Sequence, residues 1–260
     1  MKSHRLIYTR WSFMVLITVM PILSCTAQKE TQKNLLPTAN EQLMEPATLP
    51  VLRINTDTFT NLEDLHFKHS VGGKAIKEET LVMVKYDDRY LEVMFDCRDN
   101  PFMDQNHYEK DNSPMFRQEV FEIFISMGKE PMEDYIEIQL NPNNALFLAK
   151  INNRFKSDGK VDLTWINTKT AGVVHSVTKD QAAQSWSGHL KIPWDILHYP
   201  QKTTEPVFRL NFYRIISQKP QSTKNWRGTA NNSTYACWSS TMARKPQFHR
   251  PEFFGYLILD

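Results

Sequence analysis

The 260-residue chain sets 31 Lys and Arg against 29 Asp and Glu, a formal net charge of +2. Lys2, Arg5 and Arg10 fall in residues 1–24, which hold no acid, so removing these three charges leaves −1 for the rest. With no long basic run, that balance excludes nucleic acid as a partner.

The first element is a positive n-region followed by the apolar run WSFMVLITVMPIL at 11–23. It is short for a transmembrane helix and has the length of a secretory signal. It ends in Ile22-Leu23-Ser24-Cys25, which resembles the lipobox of bacterial lipoproteins. Residues 1–24 are therefore expected to be a lipoprotein signal peptide. Cys25 would be the lipidated first mature residue, placing the protein on a membrane of a bacterial cell envelope. Residues 25–48 are polar and aperiodic and read as a flexible tether.

Residues 49–260 read as one all-β domain. Strand signals fall at 80–86, 90–97, 119–126, 134–141, 144–151, 161–166, 172–178, 185–192, 207–216 and 253–259. Turn residues separate them at Asp87-Asp88, Asn141-Pro142-Asn143-Asn144 and Ser157-Asp158-Gly159. Pro193-Trp194-Asp195-Ile196-Leu197 reads as a single helical turn. The expected architecture is a two-sheet antiparallel β-sandwich, jelly-roll-like, because each sheet needs another to cover its apolar face. Cys97 and Cys237 are open to two readings, an exported disulfide or two buried thiols.

Alternation sorts the side chains. Along 119–126, Phe121, Ile123 and Ile125 form the core set and Glu122 lies opposite, between Val120 and Phe124. A carboxyl group on so apolar a face is either costly or useful. Glu137, Gln139 and Asn141 share one face of 134–141, and Arg209, Asn211 and Tyr213 share one face of 207–215. Trp186 and Trp194 are expected in the core, Trp165 and Trp226 on loops or rims, and His249 in the C-terminal turn.

Six segments in order carry a resemblance. They are 118–124 (QEVFEIF), 135–142 (YIEIQLNP), 186–194 (WSGHLKIPW), 211–214 (NFYR), 238–239 (WS) and 248–255 (FHRPEFFG). The set resembles the family 9 carbohydrate-binding modules and their stand-alone relatives, over roughly residues 50–260. The resemblance implies a sandwich that grips a sugar or glycan end between two aromatic rings over a polar sheet face. Such a face suits the ligand: a pyranose stacks its C–H face on rings and offers its hydroxyls to carboxylates, amides and guanidinium groups. Glu122 matches the family's sugar-binding glutamate, and Phe116 stands where its first stacking tryptophan falls. Trp238 best matches the second ring. Glu137 and Gln139 occupy the strand of the family's arginine, so Arg209 or Arg214 would supply the guanidinium, with Asn211 beside them.

The family often holds calcium in loops, and Asp96, Asp99 and Asp111 are oxygen ligands in loop positions, without the spacing of a dedicated calcium loop. No catalytic activity is expected. Glu119 and Glu122 alternate to opposite faces and cannot flank one glycosidic bond, although such modules often work beside glycoside hydrolases. Two other classes remain. One is a haem-binding sandwich, with Met94 and His107 as axial candidates. The other is an envelope scaffold for a protein partner.

Overall fold

Alternating apolar residues along DYIEIQL and VFRLNFYRIIS make two-faced strands, and the computed structural model assembles such strands into two sheets. It describes residues 48–260 except 57, 62–65, 155–159, 201–205 and 222–225. The expected signal segment, Cys25, the tether as far as residue 47 and the turn Ser157-Asp158-Gly159 lie outside the described residues.

In chain order the strands are β1 (Val51–Ile54), β2 (Thr60–Asn61), β3 (Lys68–His69), β4 (Thr80–Tyr86), β5 (Tyr90–Cys97), β6 (Val120–Met127) and β7 (Asp134–Leu140). They continue with β8 (Leu146–Asn152), β9 (Asp162–Trp165), β10 (Val174–Asp180), β11 (Ser185–Pro193), β12 (Val207–Ser217), β13 (Ser233–Cys237) and β14 (Gly255–Leu259). The expected helical turn is α1 (Trp194–Leu197). The larger sheet runs β1-β14-β12-β6-β7-β8-β9, with β13 also on β12 and β3 on β13; the smaller runs β10-β11-β5-β4-β2. The pairs are antiparallel except β1 and β14, which are parallel.

The core lies between the sheets. Phe95 of the smaller sheet stacks on Phe121 of the larger at 3.9 Å, and Phe121 on Phe212 at 5.9 Å. Trp186 is buried there, as expected, and Trp194 packs against its edge. Cys97 sits in this core, whereas Cys237 belongs to a second cluster on the far face of the larger sheet; both are free thiols. Burial pushes the Cys237 thiol up to about 12, so it stays protonated.

That second cluster changes what the larger sheet displays. Val120, Phe124, Tyr135, Phe147 and Tyr213 of its outward face are buried under Met115, Phe248 and Phe254. Every residue of β6 is buried, and its near-continuous apolar run VFEIFISM suits a strand covered on both faces. The polar face expected to be open is roofed by loops.

One buried ion pair clamps the sheets. Arg214 of β12 points inward, and its Nε donates to Glu119 Oε1 at 2.9 Å, with both side chains fully buried. Its remaining nitrogens donate to the carbonyls of Glu79 and Arg98, each at 2.9 Å. Glu119 also accepts from Trp186 Nε1 at 3.0 Å, from Ser217 N at 3.2 Å and from Asn100 Nδ2. Removing one partner strands the other charge in the core. Arg214→Met is therefore expected to cost about 3–5 kcal/mol of folding free energy, read as an earlier midpoint in chemical denaturation. A midpoint unchanged from wild type would contradict this role.

Candidate functional site

Register brings three polar side chains together on the roofed face. Glu122 of β6 pairs with Gln139 of β7, and Phe124 pairs with Glu137 one step along, so Glu122, Glu137 and Gln139 share that face. Glu122, Glu137, Phe124 and Phe147 line a cavity of about 440 Å³. Its wall and mouth come from loops carrying Phe116, Arg117, Arg227, Tyr235, Phe248 and His249.

The floor is incompletely satisfied. Gln139 Nε2 donates to Glu137 Oε1. Glu122 Oε1 and Gln139 Oε1 are buried without a protein partner. Burial pushes the Glu122 carboxyl well above the usual range, and the charge of Glu137 pushes it further. Burial also raises Glu137, to about 8, against the opposing pull of the Gln139 amide. At neutral pH the floor therefore presents O–H donors and carbonyl acceptors more than negative charge.

His249 forms part of the wall. Its Nδ1 shares a 2.7 Å hydrogen bond with the Tyr135 hydroxyl, and its ring stacks on Phe124 at 5.1 Å. Burial lowers its pKa to about 4, so the imidazole is neutral. Phe116 stands at the mouth, 43% exposed, edge-on to Phe147 at 6.4 Å. Trp165 of β9, 48% exposed, meets the same Phe147 at 4.8 Å. Tyr235 and Phe248, which the sequence reading did not single out, pack at 5.8 Å in the opposite wall.

The remaining expected residues go elsewhere, each for a physical reason. Trp238 is only 3% exposed and lies between the sheets, tilted on Phe212 at 5.9 Å. It fits because residue 255 is glycine: a Cβ there would stand 2.5 Å from Trp238 Cζ3. The expected cleft between Phe116 and Trp238 is thus corrected to one between Phe116 and the Tyr235–Phe248 wall. Arg209 is on the expected face, but its guanidinium donates to the carbonyls of Phe254 at 2.6 Å and Glu252 at 3.1 Å, pinning the C-terminal segment. Asn211 makes a two-way pair with the backbone of Ser239, at 2.8 and 2.9 Å. Arg214 is the inward clamp already described. None of these three lines the cavity.

The candidate metal and haem ligands do not assemble. Asp96 Oδ2 accepts from Arg98 Nε at 2.7 Å, Asp99 Oδ2 from Glu79 N at 3.3 Å, and Asp111 from Leu146 N and Thr168 Oγ1. Each carboxylate is engaged in local structure. Among the described residues no group of three or more His, Cys, Asp or Glu side chains is placed to hold a metal, so the three aspartates do not gather into one site. Met94 lines a groove on the outer face of the smaller sheet, while His107 bonds Gln221 O at 3.3 Å in a loop. They face no common pocket among the described residues.

Fold and cavity together define a class: a two-sheet β-sandwich with a roofed, carboxyl-floored pocket on its larger sheet. A candidate carbohydrate-binding protein from Bacteroides uniformis has this fold. Its TM-score is 0.57 at 14% identity, covering 81% of this chain and 98% of that one. A family 9 carbohydrate-binding module from Caldicellulosiruptor kristjanssonii, in complex with glucose, gives a TM-score of 0.49 at 10% identity, covering 81% and 96%. In sequence, an extracellular protein of Arthroderma benhamiae is 24% identical over 200 residues, 75% of this chain and 84% of that protein. No family profile matches the chain. The likeness to the Bacteroides protein shows the fold, the two-sheet sandwich that the six sequence blocks imply.

The floor carries a signature in pH. A carboxyl whose folded pKa is raised binds more protons folded than unfolded, so stability falls as pH rises. For Glu137 the loss begins near its ordinary value of 4.5 and is complete above about 8. The burial of His249 acts in the opposite sense at lower pH, where unfolding lets the ring protonate. Between about pH 6.5 and 8.5, wild type is therefore expected to lose stability and Glu137→Gln to lose less, in denaturant titrations across that range. Parallel curves for the two proteins would contradict the assignment.

Proposed function

We propose that the protein is a non-catalytic carbohydrate-binding sandwich that takes a sugar or glycan end into the cavity above Glu122 and Glu137. The observation that carries the reading is the unpartnered, buried Glu122 Oε1 on the cavity floor, with the likewise unpartnered Gln139 Oε1 beside it on the same sheet face. Each unmade hydrogen bond costs about 1–3 kcal/mol. A sugar hydroxyl would remove that cost while its ring's C–H face lies on Phe116. The name of the Bacteroides protein of like fold favours the same reading.

Catalysis by Glu122 and Glu137 is disfavoured by the same electrostatics. A glycosidase needs one ionised and one protonated carboxyl, their pKa values driven apart. Here burial raises both. Any hydrolysis of the glycan would fall to a separate glycoside hydrolase. The anchor completes the proposal: a lipidated Cys25 and a polar tether would hold the pocket at a bacterial membrane, within the cell envelope.

On a glycan array, Glu122→Gln and Phe116→Ala are each expected to weaken binding at least about tenfold, about 1.4 kcal/mol, with the melting transition retained. Trp238→Ala, by contrast, is expected to cost about 3–5 kcal/mol of stability through a cavity between the sheets. If both pocket variants bind as wild type does, the site is misplaced. Mass spectrometry of the mature N-terminus is expected to find a diacylglyceryl group on Cys25. An unmodified Cys25, or cleavage elsewhere, removes the anchor.

A further inference from the structure

Two arginines stand at the mouth of the cavity. Arg117 follows Phe116 in a short 3₁₀ turn, Met115–Arg117. Arg227 precedes Gly228, whose N–H donates to the Arg117 carbonyl at 2.6 Å, so one backbone clip ties the two loops together. Both arginines line the cavity. Among the described residues neither guanidinium has an ion-pair or hydrogen-bond partner.

Other arginines here are engaged. Arg53 pairs with Asp260 at 2.7 Å, Arg98 with Glu79 at 2.6 Å and with Asp96 at 2.7 Å, Arg214 with Glu119 at 2.9 Å, and Arg250 with Glu252 at 2.5 Å. Two unpaired like charges held at one opening repel each other, and more strongly beside an apolar pocket than in bulk water. An anion between them relieves that repulsion. The planar guanidinium fork matches the two oxygens of a carboxylate or a sulfate ester.

We propose that the glycan end taken by this cavity is anionic, bearing a carboxylate or sulfate ester that Arg117 and Arg227 hold at the mouth; this rests on the sugar-binding reading of the same pocket. The acids that line the cavity, Glu122 and Glu137, lie at its floor. Burial keeps them protonated at neutral pH, so they neither neutralise the arginines nor repel an incoming anion. The three parts divide the ligand between them. The floor takes hydroxyls, Phe116 takes the ring face, and the arginines take the charge. Neutral termini would meet only the first two.

The test presents the full chain with glycans in matched sets, each neutral terminus beside its uronate and its sulfate-ester counterpart. Binding is expected to favour a charged terminus at least about tenfold, with the preference shrinking as salt rises from about 50 to about 500 mM. Comparison of the uronate and sulfate arms identifies the group. The double variant Arg117→Gln/Arg227→Gln is expected to bring the charged glycan down to the affinity of its neutral counterpart. Arg227→Gln alone, at an exposed position, serves if the double variant melts early. Equal binding of charged and neutral termini, or a preference that survives in the double variant, overturns the proposal and leaves the sugar reading intact. Binding of no glycan in any arm overturns both.

Discussion

The Glu119–Arg214 pair is the constraint on which the rest of the structure depends. Two full charges lie between the sheets with no exposure to water. Burial costs several kcal/mol per ion, and only near-complete hydrogen bonding makes that tolerable. Here Arg214 reaches carbonyls at the edge of the smaller sheet, and Glu119 gathers donors from Trp186, Asn100 and Ser217. The pair joins the larger sheet to the smaller at the start of β6. It also sets parity. With Glu119 fixed inward, the period of two sends Phe121 and Ile123 into the core and Glu122 to the opposite face. Immediately before this anchor, the chain turns through Phe116 and Arg117. The same clamp thus fixes both the floor and one lip of the cavity.

The outward face of the larger sheet then divides its polar groups into two kinds. Arg209, Asn211 and the Tyr213 hydroxyl are spent on backbone carbonyls of the roof, at Phe254, Ser239 and Phe248. These bonds hold the C-terminal segment across the sheet and close the second apolar cluster. Glu122 and Gln139 keep an oxygen each without a partner. A roof held by satisfied groups over a floor of unsatisfied ones is a pocket rather than a core. Stability and the proposed recognition therefore draw on the same face but on different residues.

Much of this was legible in the sequence, for local reasons. All ten strand signals correspond to strands, because their alternation runs long enough to be seen. Strands β2 and β3 have two residues each, too few for a period to emerge, whereas β1 and β13, no shorter than β9 and β14, went unread. Glu122 announced itself as a carboxyl between Val120 and Phe124. Trp238 misled because the resemblance matches it to the second stacking ring, whereas the fold buries it between the sheets. Its depth depends on Gly255, seventeen positions on, leaving room for the ring. For Arg209 and Asn211 alternation gave the right face, while their partners are carbonyls that only the returning chain supplies.

The amino-acid sequence alone determined the two-sheet sandwich, the strand faces and the carboxyl placed among apolar residues. Those follow from side-chain period and burial cost, which act between near neighbours in the chain. Tertiary structure decided which face is roofed, which polar groups the roof consumes and which rings stand at the mouth. It also brought Arg117 and Arg227 to one opening, through a backbone bond between loops more than a hundred residues apart. Such choices depend on how distant segments pack, and no local pattern encodes the destination of a hydrogen bond.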